Sequence, residues 1–330
     1  MPKMPNQKLK LLYLMKIFLE KTDESHPITL AELSEELGKY GISAERKSLY
    51  DDIETLRVYG INVCVKRDRR VGYYVAERDF APAELKMLVD AVQSSKCISP
   101  KKSSELIRKI ESLGSRYQGA ELHGQVNMEH RLKATNEEIY KNIEYIYTAI
   151  STNKKIRCKY FEWNSYKQRI LRKDGKLYFL DPLALHWDDE NYYLIAYEAE
   201  SQLIKHFRVD KLLSVVVLDE DREDVREVVD FQVPLYSRQL FGMYGGESSN
   251  VVIRCHNSLA GVVIDRFGID VTILSNKDDH FVFSAKVMVS PTFFSWIMGF
   301  GDKMKVLSPE PVANRIKSLA EELVRCYEED

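Results

Sequence analysis

The sequence predicts a multidomain α+β protein, and three observations carry that expectation. Amphipathic helical periodicity fills the first sixty residues and ends in a short basic hairpin. The centre, after one more helix, turns to closely spaced strands of β-branched and aromatic residues. The last eighty residues alternate strands with amphipathic helices. At 330 residues, with 45% hydrophobic and 30% charged side chains, the chain has the composition of ordered globular protein and the length of two to four domains. The boundaries read from these shifts are 1–78, 79–135, 136–230 and 248–330.

The first helix follows from Leu9, Leu12, Tyr13, Ile17 and Leu19. Thr29-Leu-Ala-Glu32 has the form of a capping box opening a second helix, with Leu30, Leu33 and Leu37 as its buried stripe. After a turn over Gly38 to Ile42, Ser43 is placed to cap a third helix. Leu49, Ile53 and Leu56 form the core side of that helix, and Gly60 ends it. Two short strands, Ile61 to Val65 and Gly72 to Val75, bracket a basic tip of Lys66, Arg67, Arg69 and Arg70. Three helices followed by a β-hairpin compose a winged helix-turn-helix. Arg46, Lys47, Ser48 and Tyr50 lie in the first turns of the third helix, where free backbone N–H groups and the positive dipole end favour phosphate. The same three-helix core also serves protein contact in other settings; the four cations of the tip favour duplex DNA. Asp51 is positioned to pair with Lys47 one turn before it.

Pro82 to Ala91 opens a further helix, Ser94 to Pro100 interrupts it, and Ser103 to Tyr117 resumes with Leu106, Ile110 and Leu113. These helices are expected to connect and dimerise the halves. Gln118 to Thr135, with two glycines and weak periodicity, reads as a linker. Its His123 and His130 have no accompanying Cys or carboxylate cluster and read as exposed loop histidines.

Asn136 to Thr148 is a helix with Ile139, Ile143, Ile146 and Tyr147 as its stripe. Strands are expected at Lys155 to Phe161, Ser165 to Leu171, Lys176 to Leu180, Tyr192 to Tyr197 and Ile204 to Val209. The last two bear the strongest functional signal. After the turn Asp188-Asp189-Glu190-Asn191, the strand ending in Lys205 to Lys211 alternates Phe207 and Val209 against His206, Arg208 and Asp210. Tyr193, His206 and Arg208 can then line a polar concavity suited to an anion or a base. Arg208 carries the most weight, since an alternating strand seldom turns Arg inward without a partner.

Pro182-Leu183, Tyr192-Tyr193-Leu194 and Phe207-Arg208-Val209-Asp210-Lys211 together resemble the signature of the WYL domain, a ligand-sensing module of bacterial transcriptional regulators. Tyr192 stands where that signature has Trp. Lys211 stands where it has a second Arg, keeping the charge without the bidentate fork. The resemblance implies an Sm-like β-barrel and a sensing pocket at Tyr160, His186, Tyr193, His206, Arg208 and Lys211. The third-helix segment SAERKSLYDDIETLRVYGI resembles the DeoR-like winged helix that precedes such domains, with Asp51-Asp52 where the family pattern ends in Arg-Asp. Toward the C-terminus, strands at Val251 to Cys255 and Phe281 to Val289 flank a helix at Leu259 to Phe267. A helix at Thr292 to Met298 and a last one bearing Val312, Ile316, Leu319, Leu323 and Cys326 complete a βαββα-like order. Trp296, Gly301-Asp302 and Val306 to Glu310 resemble the C-terminal extension of WYL proteins, for which a role in dimer contact or signal transmission is expected.

Charge is balanced overall, 48 Lys plus Arg against 50 Asp plus Glu, but it is unevenly placed. The basic tip contrasts with an acidic run from Asp219 to Asp230; a DNA-facing and a repelled end, or two solvated faces, both accommodate it. Five scattered cysteines without a C-x-x-C pair exclude a disulfide framework and a cysteine zinc site, and suit a reducing cytoplasm. Lys16 and Glu20 interrupt the richest apolar run, so no membrane span is expected, and MPKMPNQK lacks the core of a signal peptide. Neither a cofactor nor a metal is expected. The reading that unites these features is a homodimeric regulator that binds a double-stranded DNA operator, modulated by a nucleotide or single-stranded nucleic acid effector. A scaffold for a partner protein is a second reading. A nucleic-acid-processing enzyme is a third, resting only on the acid runs Asp188-Asp189-Glu190 and Asp219-Glu220-Asp221.

Overall fold

The computed structural model describes residues 9–124, 138–224 and 233–328. The chain divides into two compact units, Met1–Thr135 and Asn136–Asp330.

In the first unit, helices α1 (Lys10–Lys21), α2 (Leu30–Gly38) and α3 (Arg46–Tyr59) lead into an antiparallel hairpin of β1 (Val63–Arg67) and β2 (Val71–Val75). Leu14, Ile17, Phe18, Leu33, Leu37, Leu49, Ile53, Leu56, Val63 and Tyr73 form one core. The buried stripe of α1 is therefore Leu14, Ile17 and Phe18, whereas Leu9 and Leu12 stay exposed. The expected stripe was rotated because Leu12 belongs to the outer face. Thr29 and Glu32 close the anticipated capping box, and Gly60 ends α3 with φ +112°. Ser43 does not cap α3. Glu45 holds the N-cap position and makes no side-chain capping bond. The ion pair at this level joins Lys10 to Asp52.

Helices α4 (Pro82–Ser94), α5 (Pro100–Glu111) and α6 (Arg116–Gly124) follow. Residues 118–124, read as linker, are helical, because Ser115 and Gln118 cap the start of α6 through mutual backbone bonds. The buried positions of α5 are Ser103 and Ile107, with Leu113 exposed beyond its end. His123 lies on α6, 3.0 Å from Glu111, while His130 falls outside the described residues. Ser115 donates to buried Asp23 at 2.6 Å, and His26 stacks on Tyr117 at 3.6 Å, which ties α6 to the loop after α1.

The second unit opens with α7 (Ile139–Ser151), whose buried side is Ile139, Asn142, Ile146 and Ala149; Tyr147 is exposed. The Asn142 amide donates to the carbonyls of Val209 and Leu212, fixing the helix over the sheet. Six strands follow: β3 (Lys154–Trp163), β4 (Arg169–Leu171), β5 (Tyr178–Asp188), β6 (Asn191–Glu198), β7 (Leu203–Arg208) and β8 (Leu212–Asp221). They pair in the order β4-β3-β5-β6-β7, and β8 returns to pair β3, giving a curled half-barrel. Register shifts where β3 meets β8 and where β5 meets β6 bend the strands as bulges do. The sixth strand was missed because LLSVVVLDED runs directly out of the turn after Arg208 without a Gly or Pro to mark its start.

The C-terminal part comprises α8 (Val233–Gln239), β9 (Glu247–His256), α9 (Ala260–Phe267), β10 (Thr272–Lys277), β11 (His280–Val289), α10 (Pro291–Met298), β12 (Met304–Ser308) and α11 (Glu310–Glu328). Its sheet is antiparallel, in the order β10-β11-β9-β12. This βαββαβ pattern with an added helix is the split arrangement of ferredoxin-like folds, fuller than the expected βαββα. Strand β10 escaped the reading because most of it is exposed on both faces and shows no alternation. Val251, Ile253, Cys255, Phe283, Phe293 and Ile297 form the centre of the core. Leu323 and Cys326 near the end of α11 are exposed.

Candidate functional site

Register decides which side chains of the half-barrel meet. Asp189 and Glu190, with φ +41° and +61°, make a two-residue turn that pairs Asp188 with Asn191. Two positive-φ residues suit the right-handed twist of a hairpin. From that turn His186, Tyr193 and Arg208 fall into one cross-strand row, and Ala184, Ile195 and His206 into the next row on the same face. Asp188 shares this face with His186, two residues away on β5. Leu194 and Phe207 point the other way, into the core. Burying each of those two side chains stabilises the fold by about 1.5–3 kcal/mol, which locks the register and with it the polar face.

The register sets Tyr193 and Arg208 in one row with His186, the position given by the family resemblance, and His206 in the next row on the same face. Tyr160 is not among them. It lies on the core side, 7% exposed and edge-on to Phe207 at 5.5 Å, and burial pushes its phenol up to about 12. Lys211 sits past the strand in a 3-10 turn, Val209–Lys211. Arg208 does find partners: Asp210 takes its Nε at 3.0 Å and a terminal nitrogen at 2.8 Å, and Asn191 accepts a further bond at 2.8 Å. The carboxylate fork raises the guanidinium pKa and holds the group in place.

His206 is fully engaged. Its Nδ1 is 2.7 Å from the Met243 carbonyl, which can only accept, so Nδ1 carries the proton and Nε2 accepts from the Tyr236 hydroxyl at 3.0 Å. Burial lowers its pKa, which favours this neutral tautomer. The polar face is covered by the C-terminal part: Leu240, Met243 and Met288 pack on Ala184 and Ile195, with Tyr193, Ile204 and Tyr236 at the margin. Beside this contact lies a cavity of about 300 Å³, lined by His186, Asp188, Ser237, Leu240, Phe241, Gly242, Met243 and Arg266. Sequence reasoning missed Arg266 and Tyr236. Asp188 was legible as the i+2 neighbour of His186, whereas nothing in the α9 sequence marks Arg266.

In the first unit the cationic candidates divide between two sides. Arg46 bonds the Tyr50 hydroxyl at 3.3 Å, and Tyr50 meets Tyr73 edge-on. Arg46, Tyr50, Arg70 and Tyr73 line a groove of about 680 Å³ between α2, α3 and β2. Arg67 faces Val71 on the same side of the hairpin, and Arg67, Arg69 and Arg70 are exposed. Lys47 is exposed on α3. Lys66 alternates to the opposite side and donates to the Glu24 carbonyl at 3.0 Å. Ser48 is half-buried and takes a bond from Lys10. Each departure has a local cause: strand alternation sends Lys66 behind the hairpin, and helical rotation turns Ser48 toward α1. The two acid runs weighed for an enzyme are a hairpin turn at 188–190 and the end of β8, where Lys154 pairs with Asp221 at 2.8 Å.

Family comparison agrees with the architecture. Residues 141–217 match the WYL domain. Residues 247–324 match the WCX domain, so the chain carries both modules in sequence. Among solved structures it resembles proteasome accessory factor B/C (PafBC) of Arthrobacter aurescens at 17% identity and a TM-score of 0.30, covering 94% of this chain. The chain spans 47% of that protein's length. It also resembles a CRISPR Cas-related protein at 15% identity and a TM-score of 0.39, covering 90% of this chain and 78% of the other. No curated protein matches the sequence significantly. No described helix is long and apolar enough to cross a membrane.

Proposed function

We propose that this chain is a DNA-binding transcriptional regulator in which an N-terminal winged helix-turn-helix, residues 1–78, reads duplex DNA as a homodimer. In this reading 79–135 connects the halves, and the WYL domain, an Sm-like barrel within 136–230, senses a nucleotide or nucleic-acid-like effector. The domain of 248–330 contributes dimer contact or transmission. The observation that carries the reading is the groove shared by Arg46, Tyr50 and Arg70 at the start of α3, with Arg67 opposite Val71 on the hairpin and Lys47 and Arg69 exposed nearby in sequence. Exposed guanidinium groups on a hairpin next to a helix N-terminus suit the phosphates flanking a major groove. The effector would bind at the face of Tyr193 and Arg208, competing with Asp210 for the guanidinium, with Lys211 at its edge.

The test is enrichment of fragmented host DNA by purified protein at two salt concentrations. A few near-palindromic sites that weaken as salt rises are expected. The Arg67→Glu, Arg70→Glu double variant should lose that enrichment, and retention of it would refute the DNA-reading assignment.

A further inference from the structure

The cavity between the half-barrel and the C-terminal part holds two opposite charges. Asp188, at the end of β5, and Arg266, on α9, both line it and attract one another. Among the described residues no ion pair joins them. Arg266 is held by its surroundings: it donates to the Leu240 carbonyl and lies over the Phe241 ring, 4.1 Å from the centroid. A guanidinium held over an aromatic ring and bonded to a backbone carbonyl presents its remaining N–H groups in a limited set of directions. His186 and Ser237 add polar atoms to the wall, while Leu240 and Phe241 add apolar surface.

This pattern discriminates among ligands. A simple anion drawn to Arg266 is opposed by Asp188, and a simple cation drawn to Asp188 is opposed by Arg266. A molecule bearing both charges satisfies both groups, which matters because partly buried charges are costly without a partner. At about 300 Å³ the space is at the small end for metabolite sites, which run from about 300 to 1,000 Å³. We propose that this cavity binds a free α-amino acid with a small or apolar side chain. Its carboxylate bonds Arg266, its ammonium bonds Asp188, and its side chain rests against Leu240 and Phe241. The site adjoins the nucleotide reading at Arg208, sharing His186 with that row, and stands independently of DNA binding. Because its walls come from β5 on one side and from the 237–243 segment and α9 on the other, an occupant bridges the WYL and WCX domains.

Isothermal titration of the full-length protein tests it, using the standard L-amino acids, their N-acetyl and C-amide derivatives, and adenosine monophosphate. Saturable binding of at least one free amino acid is expected. Blocking either end, or the Asp188→Asn substitution at the strand end, should weaken it by about tenfold or more, the scale of a lost charge-assisted contact. Arg266→Gln should do the same, with circular dichroism checking its fold. Lys277→Ala, on exposed β10 away from either site, should leave amino-acid binding unchanged. Absence of binding by any free amino acid, equal binding of the blocked forms, or unchanged affinity in Asp188→Asn would overturn the proposal. Nucleotide binding lost in Arg208→Ala, with no amino acid bound, would sink this site while leaving the nucleotide reading intact.

Discussion

Arg208 and Glu198 show how differently two charged residues of one hairpin are used. Arg208 is clamped by Asp210 and Asn191 at a half-exposed edge, where the proposed anionic effector would exchange with the carboxylate. Arg208→Ala should abolish effector response while light scattering and thermal melting stay near wild type; a normal response would remove Arg208 from the sensing face. Glu198 is 3% exposed and is held by Lys173, Ser201 and Lys205. Although burial opposes ionisation, these bonds outweigh it and hold the carboxyl down to about 2. Its folded pKa lies below its unfolded value, so the unfolded state binds the proton first. The stabilisation is present above about pH 4.5 and is lost as pH falls toward 2. Glu198→Gln should lower stability at neutral pH by on the order of 2–3 kcal/mol and flatten that acid dependence. Denaturant titrations from pH 7 to 3 check it, and parallel wild-type and variant curves would show the clamp to be idle. His206 adds in the same direction: its pKa is depressed, so stability falls as pH drops below the ordinary histidine range and the unfolded chain protonates first.

At the scale of elements, the entry into β9 is the tightest joint. A Cβ on Gly246 would lie 2.1 Å from the Val289 carbonyl oxygen, a backbone atom of the neighbouring strand β11. No side-chain rotation relieves that approach. Gly246→Ala should therefore cost about 3 kcal/mol or more, read as a lowered denaturation midpoint. A variant as stable as wild type would mean the strand entry has room the structure does not show. The element level also explains where reading along the chain went astray. The capping box of α2 and the αL glycine after α3 are local devices, so a few residues sufficed to locate both. Strand β10 and the start of α6 depend on a neighbour across the sheet and on Ser115 with Gln118, and their own residues carry little periodic signal.

For the whole molecule, the half-barrel meets the C-terminal part where Ala184 and Ile195 pack on Leu240, Met243 and Met288, and His206 bridges the contact through Met243 and Tyr236. Under the proposed function, a molecule bound at this covered face would change how the two surfaces fit, which suits coupling. If the effector shifts operator affinity by some factor, thermodynamic linkage requires operator DNA to shift effector affinity by the same factor. Fluorescence titrations of effector with and without operator test this reciprocity. A changed operator affinity with an unchanged effector affinity would exclude a coupled two-site regulator.

By itself the sequence determined the WYL-then-WCX order, the capping box of α2 and the glycine stop of α3, the basic hairpin, and the alternation that sets His206 and Arg208 on one face. These follow from interactions within a turn of helix or across one hairpin, which leave a periodic trace in the chain. Only the tertiary structure decided what that face meets. Tyr160 belongs to the core because the half-barrel curls, and His206 is spent on Met243 and Tyr236 because a later segment folds back over it. Arg266 reaches the cavity of His186 and Asp188 across some eighty residues of intervening chain. Contacts between segments so far apart are set by packing, and packing leaves no local pattern to read.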